Sequence, residues 1–386
     1  MITMSPPIGH QPKVLFVVNE DWAFLRFRRP LASALVKAGW EVSICCPAGD
    51  ACAEIEASGY RVIRTRMNRG SRNPFLECRA LIDLVRAYRT ERPQIVHHFA
   101  AKPILYGSIA AAVSPVSAVV NSITGVGYAY SSDHWSRRLA RLLFNISYRW
   151  ALNRPNAKVV FLNGEDHQLF LNYGLCRPAN SVVIGSEGID TLEFSPSPEP
   201  SGMVTVLYGG RMLWDKGLHV LEYAARILHS RGVQAKILLA GVPDQSNPSS
   251  IPELLLREWS RDGFVHWIGF HPNMIELLRN AHVACLPSRR EGVPTFLLEA
   301  AACGRPIVAT DVPGCRDVVV PGTNGFLVPF GDPHRLAASL ESLITDARLR
   351  VAMGHRSRQL VLERFSIEVV SERIFDLYGN ALATAN

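Results

Sequence analysis

The chain has 386 residues, which is enough for two domains of ordinary size. Hydrophobic residues make up 48% of it and charged residues 19%, a composition that excludes a disordered or fibrous protein. The net charge of +7 is uneven, because residues 1–180 hold 22 basic and 12 acidic side chains. A basic half can attract nucleic acid, anionic lipid or a diphosphate-bearing substrate, and it also fits ordinary solvated surface charge.

The cysteines and the hydropathy pattern favour a cytoplasmic protein. The eight cysteines show no metal-ligand spacing, and several lie in apolar runs, which is typical of buried, reduced thiols. No segment has the length and apolarity of a membrane span. Residues 1–11 lack the basic start and apolar core of a signal peptide. We therefore expect the chain to stay in the cytoplasm and to bind no metal.

Strand-like and helix-like segments alternate through the first half of the chain. Helical periodicity is clearest over residues 77–89. The strand-like segments, most of them continuous apolar runs, lie at residues 13–18, 40–46, 60–63, 94–98, 119–123 and 158–162. Because such runs are typical of strands covered on both faces, the pattern predicts a parallel, doubly wound sheet.

A second alternating unit follows a proline-rich segment. Residues 190–202 contain three closely spaced prolines, which prevent a helix or an inner strand and predict a linker. Strands are then predicted from Val204 and at residues 235–240, 265–268, 283–286 and 307–310, with helices at 217–231, 251–261 and 274–280. Ligands bind at the carboxyl ends of the strands in such sheets.

Residues 288–308 carry the most informative pattern. Glu291 and a glycine lie in a loop, Pro294 opens a short apolar helix at its first turn, and Glu299 follows eight residues after Glu291. Gly304 ends the helix. The free N–H groups at a helix N-terminus bind phosphate, and carboxylates bind sugar hydroxyls, so the pattern predicts a sugar-nucleotide site.

Residues 209–217 provide a second candidate site. Arg211 and Lys216 stand five residues apart in a glycine-flanked turn at the predicted end of a strand. A guanidinium fork and an ammonium point charge suit a diphosphate. A solvent-exposed turn is the alternative interpretation.

These two segments resemble motifs of the retaining glycosyltransferases of family 4, which have the GT-B fold. The resemblance implies two Rossmann-like doubly wound domains facing a central cleft. It implies that Arg211 and Lys216 neutralise the departing nucleotide diphosphate, that Glu291 holds the donor sugar and that Glu299 holds the ribose. The turn at 267–270 and the loop at 310–314 also resemble donor-facing turns of this family. The other implied donor-binding residues are Gly210, Gly269, Phe270, Gly292, Val293, Pro294, Thr295 and Phe296.

The first half is similar to a branch of the family that acts on polyprenyl-diphosphate-linked sugars. By that resemblance His98 meets the reacting acceptor hydroxyl, although a strand-end histidine can equally be structural. The other implied acceptor-binding residues are His97, Lys102, Thr124, Gly125, Gly127 and Tyr128. One departure leaves the acceptor open: Phe27 stands where that branch often has the histidine of a His-Arg pair.

Residues 134–150 combine arginines and aromatic residues at helical spacing. This pattern suits a helix at a membrane interface, with arginines in the headgroups. Core packing with the arginines directed outward is the alternative.

The sequence therefore predicts an acceptor domain at residues 1–189, a linker at 190–202 and a nucleotide-sugar domain at 203–365, with a final helix near 366–386 packed on the first domain. The expected activity is metal-independent, cofactor-free, retaining transfer from a UDP-sugar to a polyprenyl-diphosphate-linked sugar in surface-polysaccharide or glycan assembly, with the enzyme peripheral on the inner face of the cell membrane. A soluble carbohydrate acceptor, a sugar-nucleotide epimerase or phosphorylase of the same fold, and a nucleic-acid-binding protein are the alternatives. Nucleic acid is not an expected partner, because no aromatic-basic recognition motif is present.

Overall fold

The computed structural model describes residues 11–71, 73–125 and 135–384, and of residues 135–141 and 143 the backbone only. The chain divides into two compact units. Unit 1 comprises the chain up to Gly188 and the segment from Ile367 onward, whereas unit 2 runs from Ile189 to Ser366. Each unit is built on one parallel sheet, which confirms the predicted α/β fold class.

The described residues of unit 1 form a seven-stranded sheet with helices between the strands. The strands are β1 Lys13–Val17, β2 Glu41–Pro47, β3 Arg61–Thr65, β4 Ile95–Phe99, β5 Ala118–Ile123, β6 Ala157–Phe161 and β7 Ser181–Val183. The helices are α1 Asp21–Ala23, α2 Arg29–Lys37, α3 Cys52–Ala57, α4 Pro74–Glu91, α5 Ala101–Ala112, α6 Trp135–Leu152 and α7 Gly164–Asn172. A π-helical turn at Phe24–Arg28 joins α1 to α2. The strand order is β3-β2-β1-β4-β5-β6-β7.

The apolar residues of β1 pack into separate core clusters. Phe16 belongs to a core cluster that includes Leu35 of α2, whereas Leu15 belongs to another that includes Leu84 of α4. Successive side chains of a strand point to opposite faces of the sheet. Helices therefore cover both faces, as the continuous apolar run predicts.

Unit 2 contains six strands in the order β10-β9-β8-β11-β12-β13. The strands are β8 Thr205–Gly209, β9 Lys236–Ala240, β10 His266–Gly269, β11 Val283–Leu286, β12 Ile307–Thr310 and β13 Gly325–Val328. The helices are α8 Leu218–Ser230, α9 Glu253–Asp262, α10 Met274–Arg279, α11 Thr295–Ala302, α12 Cys315–Val318, α13 Pro333–Thr345 and α14 Ala347–Arg364. The order reverses at β8, between β9 and β11, and such a switch point is where open α/β sheets bind ligands.

The last helix, α15 Ile367–Ala383, belongs to unit 1 although it follows unit 2 in sequence. Ile374 and Tyr378 are buried in the cluster that contains Phe16. This is the helix that sequence analysis places near residues 366–386.

Residues 190–202 pack on unit 2. Arg350 Nε lies 2.6 Å from Glu199 Oε1, and Arg305 Nη2 donates to Ser197 Oγ at 2.6 Å. Arg358 donates to the carbonyl oxygens of Thr191 and Phe194. The prolines do exclude regular structure here, but arginine side chains bind the extended backbone, so the segment is part of unit 2 rather than a free linker.

Candidate functional site

The two motifs of unit 2 meet because their strands are neighbours in the sheet. β8 pairs with β9, with Gly209 opposite Ala240, and also with β11, with Leu207 opposite Ala284. All three strands are parallel, so the loops after Gly209, Ala240 and Leu286 leave the same edge of the sheet. This edge holds the candidate donor site.

Arg211 is held by Tyr208 of β8 and by Asp244 in the loop after β9. The Tyr208 hydroxyl donates to the carbonyl oxygen of Arg211 at 2.8 Å, and Arg211 Nη1 lies 2.8 Å from Asp244 Oδ2. Burial raises the pKa of Tyr208 well above its ordinary value, which keeps its hydroxyl a donor. Sequence analysis missed Asp244, although its position after β9 at the carboxyl edge was a usable signal.

Lys216 ends a 3-10 turn, Trp214–Lys216, that is held close to the loop after β11. Gly217 has φ +69°, and a Cβ atom there would lie 2.0 Å from the carbonyl oxygen of Pro287. Only glycine permits this approach. Lys216 Nζ lies 2.5 Å from Glu291 Oε1, so the Lys216–Glu291 pair joins the two predicted motifs directly.

The loop that carries Glu291 is fixed from both sides. The Thr310 hydroxyl, at the end of β12, donates to the carbonyl oxygen of Ser288. Gly314, with φ +76°, packs so closely that a Cβ atom would lie 1.9 Å from the carbonyl oxygen of Gly292. The predicted 310–314 segment therefore supports the Glu291 loop through the Thr310 hydroxyl and the close approach of Gly314.

Helix α11 begins one residue later than the sequence predicts. Pro294 occupies the N-cap position, with φ −74° and ψ 111°, and its side chain caps no N–H group. Thr295 and Phe296 therefore supply the first N–H groups of the helix, which have no intrahelical acceptor. These groups and Lys216 lie on either side of the Glu291 loop in the chain.

The remaining predicted donor-binding residues differ in how far their side chains are exposed to solvent. Phe270 is 73% exposed at the end of β10, beside Gly269, which has φ +70°. Val293 and Phe296 are buried, and the Phe296 ring packs against Gly209. Glu299 is 1% exposed, so the structure does not itself offer this carboxylate to a ribose hydroxyl.

The two predicted acceptor histidines of unit 1 are fully buried at the end of β4. The His98 ring nitrogens lie 2.8 Å from Tyr88 Oη and 2.8 Å from Asn121 Oδ1. Burial lowers the pKa of His98 to about 4. Both nitrogens are occupied and the ring is neutral at pH 7, so the chain as folded leaves His98 no free atom for a substrate hydroxyl.

His97 bridges β5 and α15. Its Nδ1 lies 2.6 Å from Tyr378 Oη and its Nε2 lies 2.7 Å from Ser122 Oγ. Burial, reinforced by the nearby Arg28, lowers the pKa of His97 well below its ordinary value. The structure thus gives both histidines hydrogen-bonded packing roles, the alternative that the sequence left open.

Lys102 and Thr124 stand at the carboxyl edge of the unit 1 sheet. Lys102 Nζ donates to the carbonyl oxygens of Asn68 and Ser71 and lies 2.8 Å from Glu77 Oε1. It therefore fixes the loop after β3. Thr124 is half-buried and Gly125 is exposed. Gly127 and Tyr128, the other predicted acceptor residues, lie outside the described residues.

A buried ion pair in unit 1 escaped sequence analysis. Arg28 Nη1 contacts Glu187, and the guanidinium stacks on Phe99 at 4.3 Å from the ring centroid. Burial lowers the pKa of Arg28 to about 9. Arg28 follows Phe27 directly, so Phe27, the position that departs from the family pattern, is next to a buried arginine.

Two observations on the described residues concern the predicted absence of a metal ion and the predicted membrane surface. Within residues 11–71, 73–125 and 135–384, no group of three or more metal-ligating side chains is assembled. In the same part of the chain, no helix is long and apolar enough to cross a membrane.

Comparison with family models decides the assignment. Residues 190–360 match the model described as glycosyl transferases group 1. Residues 13–161 match the model described as glycosyl transferase 4-like. The chain is a glycosyltransferase, with one group 1 domain and one 4-like domain. One model falls in each unit of this glycosyltransferase, and the family resemblance drawn from the 209–217 and 288–308 motifs is confirmed.

The alignments with two known relatives cover most of this chain. An N,N'-diacetylbacillosaminyl-diphospho-undecaprenol alpha-1,3-N-acetylgalactosaminyltransferase of Campylobacter jejuni is 24% identical over 96% of this chain and 99% of its own length. A UDP-Gal:alpha-D-GlcNAc-diphosphoundecaprenol alpha-1,3-galactosyltransferase of Escherichia coli is 23% identical over 78% of this chain and 79% of its own length.

Solved structures agree on the fold. HepE of Anabaena, in complex with UDP-glucose, has a TM-score of 0.77 and 18% identity, and the match covers 95% of this chain and 99% of that one. At this identity the likeness concerns the fold alone, which is GT-B, as predicted.

Proposed function

We propose that the enzyme transfers a sugar from a UDP-sugar to a polyprenyl-diphosphate-linked sugar, and that the donor binds at the carboxyl edge of the unit 2 sheet. The observation that carries the donor site is the Lys216–Glu291 pair, which joins a diphosphate-type turn to a helix N-terminus. HepE, of the same fold, is described with UDP-glucose bound, which supports the choice of donor.

The proposed chemistry is electrostatic. As the donor's anomeric carbon–oxygen bond breaks, negative charge develops on the departing diphosphate. Arg211, Lys216 and the first N–H groups of α11 are held in place before the donor arrives, so they stabilise that charge without reorganising. We propose that they do so without a metal ion, since the sequence has no Asp-x-Asp pair at a strand end.

Retention follows the scheme proposed for the family. A phosphate oxygen of the leaving group accepts the proton of the acceptor hydroxyl, which attacks the anomeric carbon from the same face. This scheme needs no carboxylate nucleophile, only positioning and charge stabilisation. Glu291 then has two tasks: it orients Lys216 in the empty site and binds donor-sugar hydroxyls in the occupied site.

The acceptor assignment is supported by the relatives and by charge. The Campylobacter and Escherichia relatives are both named for activity on diphosphoundecaprenol-linked sugars. The excess of basic residues in the first half of the chain suits an acceptor that carries a diphosphate.

A membrane-facing surface is proposed on α6. Leu142, Ile146 and Trp150 recur every four residues, so they lie along one helix face, and they are 55%, 59% and 47% exposed. A polyprenyl acceptor keeps its diphosphate at the bilayer surface. We propose that this apolar face and nearby basic residues dock reversibly on an anionic membrane.

Calorimetric titration with UDP and GDP tests the donor assignment. UDP is expected to bind with micromolar affinity, which lies within the range of KM values that enzymes commonly show. Lys216→Ala should weaken UDP binding. Preference for GDP, or UDP binding unchanged in Lys216→Ala, would refute the donor site as assigned.

A further inference from the structure

A cavity of about 340 Å³ lies in unit 2, away from the candidate donor site. His282 directly precedes β11 and Pro306 directly precedes β12, so the cavity lies where the parallel strands begin. The donor site lies where they end. Helix α14 and the 190–202 segment supply the other walls. The lining residues that matter below are Glu199, Arg305, Arg350, Val351, His355 and Arg358.

Positive charge dominates this lining. Its three guanidinium groups face a single carboxylate, Glu199, which Arg350 binds through Nε and Nη2 at 2.6 and 3.1 Å. Within the described part of the chain, Arg305 and Arg358 hydrogen-bond only to carbonyl and hydroxyl oxygens. Burial lowers the pKa of both side chains, because their charge is partly removed from water and incompletely offset.

Both of these arginines keep unused donors. An arginine has five N–H groups. Arg305 is 3% exposed and uses Nε and Nη2, whereas Arg358 uses Nη1 and Nη2. Among the described residues, Arg305 Nη1 and Arg358 Nε have no hydrogen-bond acceptor. His355 stands exposed on α14 at the rim of the same cavity.

We propose that this cavity is a second binding site, which takes a small phosphorylated metabolite through Arg305 Nη1, Arg358 Nε and His355. Guanidinium groups are the preferred partners of phosphate oxygens. The volume reaches the lower end of small-molecule sites, about 300 Å³, so it accommodates a sugar phosphate as well as a bare phosphate. Because Arg305 and Arg358 also bind the 190–202 segment, the ligand would tighten the packing of that segment on unit 2.

Titration calorimetry on the full chain, saturated with UDP to occupy the donor site, tests this proposal. The probes are inorganic phosphate and ribose 5-phosphate. His355→Glu places a carboxylate at the rim, and Val351→Trp adds bulk to the lining without changing its charge. The matched control, His266→Glu, makes the same charge change at an exposed histidine on β10, which does not line the cavity.

Both probes are expected to bind the wild-type chain with saturation, ribose 5-phosphate more tightly. His355→Glu should weaken the binding of ribose 5-phosphate by about tenfold or more, the effect of losing one charged hydrogen bond. Val351→Trp should also weaken it, because the larger side chain takes up room in the cavity. His266→Glu should bind as the wild type does, and UDP affinity should stay unchanged in all three. Absence of saturable binding to the wild type, or wild-type affinity in both cavity variants, would overturn the proposal.

Discussion

Replacing Lys216 by alanine removes the cation that joins the two motifs of the donor site. Its Nζ lies 2.5 Å from Glu291 Oε1, and the two side chains are only 20% and 11% exposed. Charges in such a half-buried place interact more strongly than in water. The variant therefore loses a preorganised positive group and leaves the Glu291 carboxylate without this partner.

The expected loss is about 3–4 kcal/mol of transition-state stabilisation, or roughly 10²–10³-fold in kcat, as for one donor lost at a site of developing negative charge. Steady-state kinetics with product detection by mass gives kcat and KM, and circular dichroism checks the fold. Lys236→Ala is the matched control, since Lys236 is exposed at the start of β9, at the other edge of the same sheet.

A double variant sharpens this test. Lys216→Ala combined with Glu291→Gln should lose less than the sum of the two single losses, because the groups are in contact and share one function. A folded Lys216→Ala enzyme within about threefold of wild-type kcat would refute the reasoning, as an effect that small is worth less than 1 kcal/mol.

Further predictions concern the backbone, the nucleoside, the metal and the membrane. Gly217→Ala should destabilise the chain in urea unfolding by more than Gly232→Ala, since both have φ near +70° but only the first places a methyl group 2.0 Å from a carbonyl oxygen; equal losses would contradict the close approach. Glu299→Gln should weaken UDP binding about tenfold in calorimetry, because we propose that donor binding brings this carboxylate onto the ribose; an unchanged Kd would refute that role and leave a packing role. Turnover should survive EDTA, so loss with rescue by Mg²⁺ would refute the metal-independent scheme. Ile146→Glu should reduce co-sedimentation with anionic vesicles while Leu254→Glu, at a 67% exposed leucine of unit 2, should not; equal binding by both would remove α6 as the docking face.

The sequence predicted the parts of the fold that depend on local pattern. Apolar runs such as 13–18 and 235–240 are strands, because a doubly covered strand must be apolar on both faces. Glycine and proline positions predicted the turn around Gly217 and the helix after Pro294, since backbone geometry limits which residues fit there. The two motifs then indicated the family.

Contacts between distant segments were not predictable in the same way. The pairing of Arg211 with Asp244 depends on which strands are neighbours, information that no single segment contains. The burial of His97 and His98 depends on Tyr378 and Tyr88, which come from α15 and α4. The arginines that bind residues 190–202 are more than 100 residues away in sequence, so the sequence of that segment by itself indicates only a linker.

Mass spectrometry of the acceptor tests whether the enzyme transfers a sugar to a lipid-linked acceptor. Purified enzyme is incubated with a panel of UDP- and GDP-sugars and a prenyl-diphosphate-linked sugar. We expect one UDP-sugar to add a single hexose or N-acetylhexosamine to this acceptor and to release an equal amount of UDP. Release of UDP from that donor with no gain of mass on the lipid-linked acceptor would refute the proposed transfer.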